Sequence, residues 1–172
     1  GSEIYKLNHR RPGERTITVS EKTAQVLSEG LEYCRMSRGA FDITIEPLSS
    51  LWDFTGKTPH VPPEEEIEAD LKKVGYENVL LDGRQVTFLN DETTIDLGAI
   101  AKGFIADQMK AYLEENGVKS AVINLGGNVL CVGKRPDGAP FKIGLQRPYA
   151  THTETVAALK IDDMSVVSSG VY

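Results

Sequence analysis

Cysteine, basic runs and long apolar stretches are all scarce in this chain, and each shortage closes off a class of function. There are two cysteines, Cys34 and Cys131, far apart and in no metal-binding or redox spacing, so both read as buried thiols. Lysine and arginine number 19 against 25 aspartates and glutamates, a net charge of -6, and no basic run of any length is present. Phosphate backbones reward basic faces, so no nucleic-acid partner is expected, and an anionic ligand would need local donors. No apolar run approaches the roughly 20 residues of a membrane span, and no signal-peptide pattern opens the chain. Gly1-Ser2 reads as a cloning remnant, which leaves the sequence silent about targeting. The three histidines, His9, His60 and His152, share no paired or i, i+4 spacing and are assigned neither a metal nor a catalytic role. Neither G-x-G-x-x-G nor G-x-x-x-x-G-K-[ST] occurs, which removes the Rossmann and Walker modes of nucleotide binding.

What is present is an ordinary globular composition: 172 residues, 40% hydrophobic, with 16 glycines. That length fits one domain over 1–172, able to bury roughly 70% of the surface its unfolded chain exposes. Ser20 is placed to cap a helix with apolar positions at Leu27, Leu31 and Cys34, closed by Gly39 in a left-handed cap. The alternation Phe41, Ile43, Ile45 predicts a strand running to Pro47. Three prolines and a glycine make 53–63 a surface loop. Pro63, the acids Glu64 to Glu66, then Lys72, Lys73 and Gly75 bracket a second helix with Ile67, Leu71 and Val74 as its core stripe. A hairpin about Asp82-Gly83 and a short strand over Thr94–Leu97 follow. A third helix runs from about Ala99 to Asn116 on an apolar face of Ala101, Ile105, Met109 and Tyr112, and Gly117 ends it. Strands near 121–125, 128–132, 141–145, 156–161 and 165–171 make the last third β-rich. Hairpins mixed with three separated helices point to an α+β fold with mixed, largely antiparallel sheets, not to a doubly wound parallel one.

The stretch Thr94-Ile95-Asp96-Leu97-Gly98-Ala99-Ile100-Ala101-Lys102-Gly103 delivers an acid and a glycine turn to a helix start. Free N–H groups and the positive dipole end make that a possible pyrophosphate site, with Lys102 four residues past Gly98 on the same helical face. The same residues also fit a plain helix cap with a solvated lysine. Gly126-Gly127, inside Asn124-Leu125-Gly126-Gly127-Asn128, would let a backbone approach a ring or phosphate, and equally suits a hairpin turn or bulge. Phe41-Asp42 brings an aromatic face and a carboxylate out of one corner behind Gly39.

In order along the chain, Ser2-Glu3-Ile4 with Leu7-Asn8, Gly39-Ala40-Phe41-Asp42-Ile43-Thr44 with Pro47-Leu48 and Leu51-Trp52, and Ile95-Asp96-Leu97-Gly98-Ala99-Ile100-Ala101-Lys102-Gly103 resemble the ApbE family, the FAD:protein FMN transferases. Ile123-Asn124-Leu125-Gly126-Gly127-Asn128, Ile143-Gly144-Leu145-Gln146 with Pro148, and Ser168-Ser169-Gly170-Val171-Tyr172 continue the likeness. The resemblance implies an α+β fold, FAD as the donor substrate and Mg²⁺ as the activating ion. It places FAD contacts at Ala40, Phe41, Asp42, Asp96 and Lys102, a magnesium ligand at the carbonyl of Ala99, and Gly126, Gly127 and Ser169 along the same cleft. It further implies transfer of FMN to a threonine of an acceptor flavoprotein with release of AMP, or in some members hydrolysis of FAD to FMN and AMP. A flavin-binding protein without transferase activity, or an interaction module of a membrane complex, are the rival readings.

Family members continue past the Ser-Gly-x-Tyr strand into a segment with a histidine and further metal ligands, and they carry a flavin-contacting tyrosine upstream of Ser2. The catalytic residues are therefore expected beyond Tyr172, and the 172 residues alone are expected to be inactive. Asp53 stands where a glycine is common. By resemblance the location is extracytoplasmic, on a lipoprotein anchor at the cytoplasmic membrane that these residues do not include.

Overall fold

The computed structural model describes residues 1–52, 60–149 and 154–169. The loop expected from Asp53 falls largely outside them, as do His152 and Tyr172. The described residues fall into two compact units, one within 1–100 and the other within 101–172.

In the first unit, helix α1 (Glu3–Asn8) starts at Ser2, whose hydroxyl accepts the Tyr5 N–H at 3.1 Å. The residue read as a cloning remnant thus serves as an N-cap. Helix α2 (Glu21–Met36) starts at Ser20 as expected and buries Ala24, Val26, Leu27, Gly30, Leu31 and Cys34. Its end differs in detail. Gly39 N–H reaches the Cys34 carbonyl and Arg38 N–H the Arg35 carbonyl, so the left-handed C′ position belongs to Arg38 (φ 55°), with Gly39 (φ 81°) after it.

Two expected strands are absent. Residues 41–45 form a turn that enters a short helix, α3 (Glu46–Leu51), because the Asp42 carboxylate captures the Thr44 N–H at 2.8 Å and bends the chain. Residues 94–97 lie outside any sheet. Their backbone is satisfied by a side chain, since Asn8 accepts the Ile95 N–H at 2.8 Å and donates to its carbonyl at 2.9 Å, while Asp96 N–H donates to the Ile43 carbonyl. Alternation of apolar residues reports burial of every second side chain; 94–97 achieve it without a ladder, with Ile95 and Leu97 buried, whereas in 41–45 the turn buries the neighbours Ile43 and Thr44 and leaves Ile45 exposed.

Helix α4 (Glu64–Leu71) begins after Pro63 and carries the acidic first turn. It buries none of its side chains, and Leu71 is 56% exposed, so the expected core stripe is not core. The hairpin of β2 (Val79–Asp82) and β3 (Gln85–Phe88) turns at Gly83-Arg84, one residue later than read, and β1 (Thr16–Thr18) adds to β3 to give the antiparallel order β1-β3-β2. Leu7, Leu27, Ile43, Val86, Phe88 and Ile95 are the fully buried centre of this unit. Arg10 lies over the Phe88 ring at 3.8 Å and donates to the Leu7 and Asn90 carbonyls, so its aliphatic stem and planar head both contribute to packing.

The second unit opens with α5 (Ala101–Glu115). Its buried residue is Ala106, packed with Ile123, Leu130 and Val132 and flanked by Leu113. Ile105, Met109 and Tyr112 are exposed, so the helix turns a different face to its sheet than the periodicity suggested. That sheet is antiparallel, β4 (Ser120–Leu125) to β5 (Asn128–Gly133) to β8 (Ser165–Val167). A separate pair, β6 (Phe141–Gln146) and β7 (Thr155–Ile161), forms a second antiparallel sheet. Lys110 of α5 bonds Asp163 at 2.7 Å, and Asp163 accepts the Gly133 N–H at 2.8 Å, tying the helix to the corner between β7 and β8. Among the described residues, five α-helices and antiparallel sheets make the fold α+β. Among the described residues no helix is long and apolar enough to cross a membrane.

Candidate functional site

The first unit carries a half-open cavity of about 350 Å³. One wall is the corner after α2, Gly39, Ala40, Phe41 and Asp42, with Ile45 beyond it. Leu71 and Val74, from the end of α4 and just past it, supply further apolar lining, and Asp96 and Ala99 complete it. Ala40, Phe41, Asp42, Asp96 and Ala99, singled out from two stretches more than fifty residues apart, thus meet in one place.

The corner is held by its own hydrogen bonds. Phe41 N–H donates to Ser37 Oγ at 2.9 Å, and Ile43 N–H to Cys34 Sγ at 3.4 Å. Burial pushes the Cys34 thiol above its ordinary pKa, which keeps it protonated and inert as a packing group. Asp42 Oδ1 accepts both the N–H (2.8 Å) and the hydroxyl (2.7 Å) of Thr44, and its Oδ2 accepts the Tyr76 N–H at 3.0 Å. Asp42 therefore lies in the cavity wall with both oxygens engaged. Gly39, Ala40, Phe41, Ile43 and Thr44 all spend their N–H groups inside the protein, so this corner is not a nest of free donors for a phosphate.

Asp96 is braced differently. Oδ1 accepts the Gly98 N–H at 2.7 Å and Oδ2 accepts the Ser49 hydroxyl at 3.1 Å from α3. Glu46 of the same helix accepts the Thr94 hydroxyl at 2.6 Å, so α3 clasps residues 94–96 at two points. Gly98 leaves space that an added Cβ would take, 3.0 Å from the Asp96 carboxylate. Because 98–100 form a turn and α5 begins at Ala101, Gly98 and Lys102 do not share a helical face, contrary to the expectation from their spacing.

Lys102, Gly126, Gly127 and Ser169 belong to the second unit. Lys102 is exposed in the first turn of α5. Gly126 (φ 60°) and Gly127 (φ 90°) make the two-residue turn between β4 and β5, the backbone shape of a tight hairpin. Ser168 N–H donates to the Gly127 carbonyl, which brings the exposed Ser169 close to this turn.

Sequence reasoning missed the apolar wall, Ile45, Leu71 and Val74, and the polar supports Ser49 and Thr44. Leu71 and Val74 gave a signal, since apolar residues at helical spacing line a cavity as readily as a core. As for metal, no group of three or more His, Cys, Asp or Glu side chains gathers among the described residues. The cavity offers the Ala99 backbone and two carboxylates already holding hydrogen bonds, which falls short of the ligand set Mg²⁺ requires.

Residues 1–172 match the ApbE family model. An FAD:protein FMN transferase of Klebsiella pneumoniae (strain 342) is 34% identical over 173 residues, covering 99% of this chain and 52% of the relative. Among solved structures, the flavin transferase ApbE of Vibrio cholerae superposes with a TM-score of 0.85 at 28% identity, over 99% of this chain and 55% of that one. The ApbE protein of Thermotoga maritima gives 0.84 at 30% identity, over 95% and 53%. The chain spans about half the length of the relatives it matches. With a family match from end to end, and the cavity built from the two most specific blocks of the family's motif, the chain belongs to the ApbE family.

Proposed function

We propose that this protein is an FAD:protein FMN transferase with an acceptor flavoprotein as its partner. In the reaction a threonine hydroxyl of the acceptor attacks the FMN phosphorus of FAD. The P–O bond to AMP breaks, AMP leaves with the electron pair, and the hydroxyl proton is released. The observation that carries this reading is the convergence of Ala40, Phe41, Asp42, Asp96 and Ala99 on one cavity. Phe41, Ile45, Leu71 and Val74 offer apolar surface to a flat heterocycle, and Asp96 offers a braced carboxylate to a ligand amino or hydroxyl group. Holding the donor in one orientation is the main protein contribution such a displacement needs.

Mg²⁺, if bound, would be held in part by the Ala99 carbonyl and would supply charge neutralisation for a pyrophosphate; its other ligands are not found among the described residues. Lys102, Gly126, Gly127 and Ser169 stay in the proposal as residues along the flavin's path, and an extracytoplasmic lipoprotein remains the proposed setting.

The test is to incubate the full-length protein with FAD, Mg²⁺ and the acceptor. AMP should appear in step with covalent flavin fluorescence on the acceptor, and Asp96→Ala should lower kcat/KM at least tenfold, about 1.4 kcal/mol, with a far smaller effect on Tm. AMP without acceptor labelling would replace the transferase by a hydrolase. Intact FAD would end the proposal.

A further inference from the structure

Thr44 lies outside the cavity, is fully buried, and sits at the centre of a bridge between its two walls. Its hydroxyl donates to Asp42 Oδ1 at 2.7 Å and accepts the Gly75 N–H at 2.8 Å. Asp42 Oδ2 accepts the N–H of the next residue, Tyr76, at 3.0 Å. Gly75 and Tyr76 directly follow Val74, which with Leu71 lines the same cavity as Phe41 and Asp42. Two neighbouring backbone donors are therefore gripped by a hydroxyl and a carboxylate, themselves bonded together, from a segment more than thirty residues earlier.

We propose that Thr44 is a positioning residue: with Asp42 it forms a latch that fixes the spacing between the Phe41–Asp42 wall and the Leu71–Val74 wall. A buried hydroxyl that both donates and accepts is satisfied only while the walls keep this spacing, and a charged acceptor strengthens the grip. Asp42 acts here through its hold on Tyr76, just past the Leu71–Val74 wall. The latch itself stands on these bonds alone; its effect on flavin rests on the function proposed above.

Thr44→Val preserves shape and removes the hydroxyl, and Thr44→Ser restores it. Amide hydrogen exchange on the full-length protein should show Gly75 exchanging at least tenfold faster in Thr44→Val, with wild-type protection in Thr44→Ser and unchanged protection in β2 and β3. FAD affinity should fall at least tenfold in Thr44→Val and return in Thr44→Ser. Unchanged exchange at Gly75 would overturn the latch. Faster exchange with unchanged FAD affinity would overturn the positioning role. A wild-type protein that binds no FAD defeats the functional reading instead, and exchange then decides the latch alone. If Thr44→Val does not fold, Asp42→Asn serves, since its amide nitrogen cannot accept from Tyr76; exchange should then quicken at Tyr76 while Gly75 stays protected.

Discussion

Asp42 and Asp96 are both acids in the cavity wall, yet their carboxylates are committed to different neighbours. Asp42 holds Thr44 and Tyr76, whereas Asp96 holds a glycine amide and a serine of α3. A third acid, Glu3, accepts from the Ser20 N–H (2.8 Å) and hydroxyl (2.5 Å) and from the Thr23 hydroxyl, fastening α1 to the start of α2. These bonds, led by the Ser20 hydroxyl, hold the Glu3 carboxyl below its usual 4.5. A depressed folded-state pKa gives stability that is complete above the unfolded value and lost as pH falls through the folded one. Glu3→Gln should therefore cost about 1 kcal/mol at pH 7 and flatten the loss of stability below about pH 4.5, as urea titrations across pH would show. At this scale the sequence was partly legible. It marked Asp42, Asp96 and Phe41 through their place beside turns, but not which oxygens were taken, because Gly75 and Tyr76 lie too far along the chain for any local pattern to pair them with Thr44 and Asp42.

The helices and hairpins were read best where caps and turns are local, as at Ser20, Pro63 and Gly117, and worst where a period of two stood in for a strand. In 41–45 the Asx turn of Asp42 overrides the alternation, and in 94–97 Asn8 supplies the partners that a neighbouring strand would have given. The phase of α5 was misread because Ile105, Met109 and Tyr112 look like a core stripe, while small Ala106 faces the sheet. Two consequences follow for α2. Arg38 is exposed and left-handed at the C′ position, so Arg38→Gly should raise stability by about 0.5 to 1 kcal/mol, read as a higher urea midpoint at constant m. Gly30 behaves in the opposite sense. An alanine there gains roughly 1 kcal/mol of helix propensity, but its Cβ would stand 2.9 Å from Cγ2 of fully buried Ile43, and overpacking of this kind costs about 1 to 3 kcal/mol. Gly30→Ala should lower Tm, and because Ile43 sits between Asp42 and Thr44 it should weaken FAD binding as well. A rise in Tm would show that the corner yields more easily than its packing implies.

Across the whole molecule the α+β class and the order of the β-rich last third were legible, since hairpins announce themselves in consecutive residues. The short β1 and the helices α1 and α3 were not, being too brief to show a period. Pairing distance along the chain also differs within the second unit. β4 and β5 meet through the two residues Gly126 and Gly127, both at positive φ, while β8 reaches β5 only after the β6 and β7 pair has intervened. Loop closure is fastest when short, so the Gly126-Gly127 turn is placed to act as a kinetic seed, with β8 adding late to a preformed edge. The two glycines that a flavin reading would reserve for ligand thus also set how early the β5 edge that receives Ser165 to Val167 is formed.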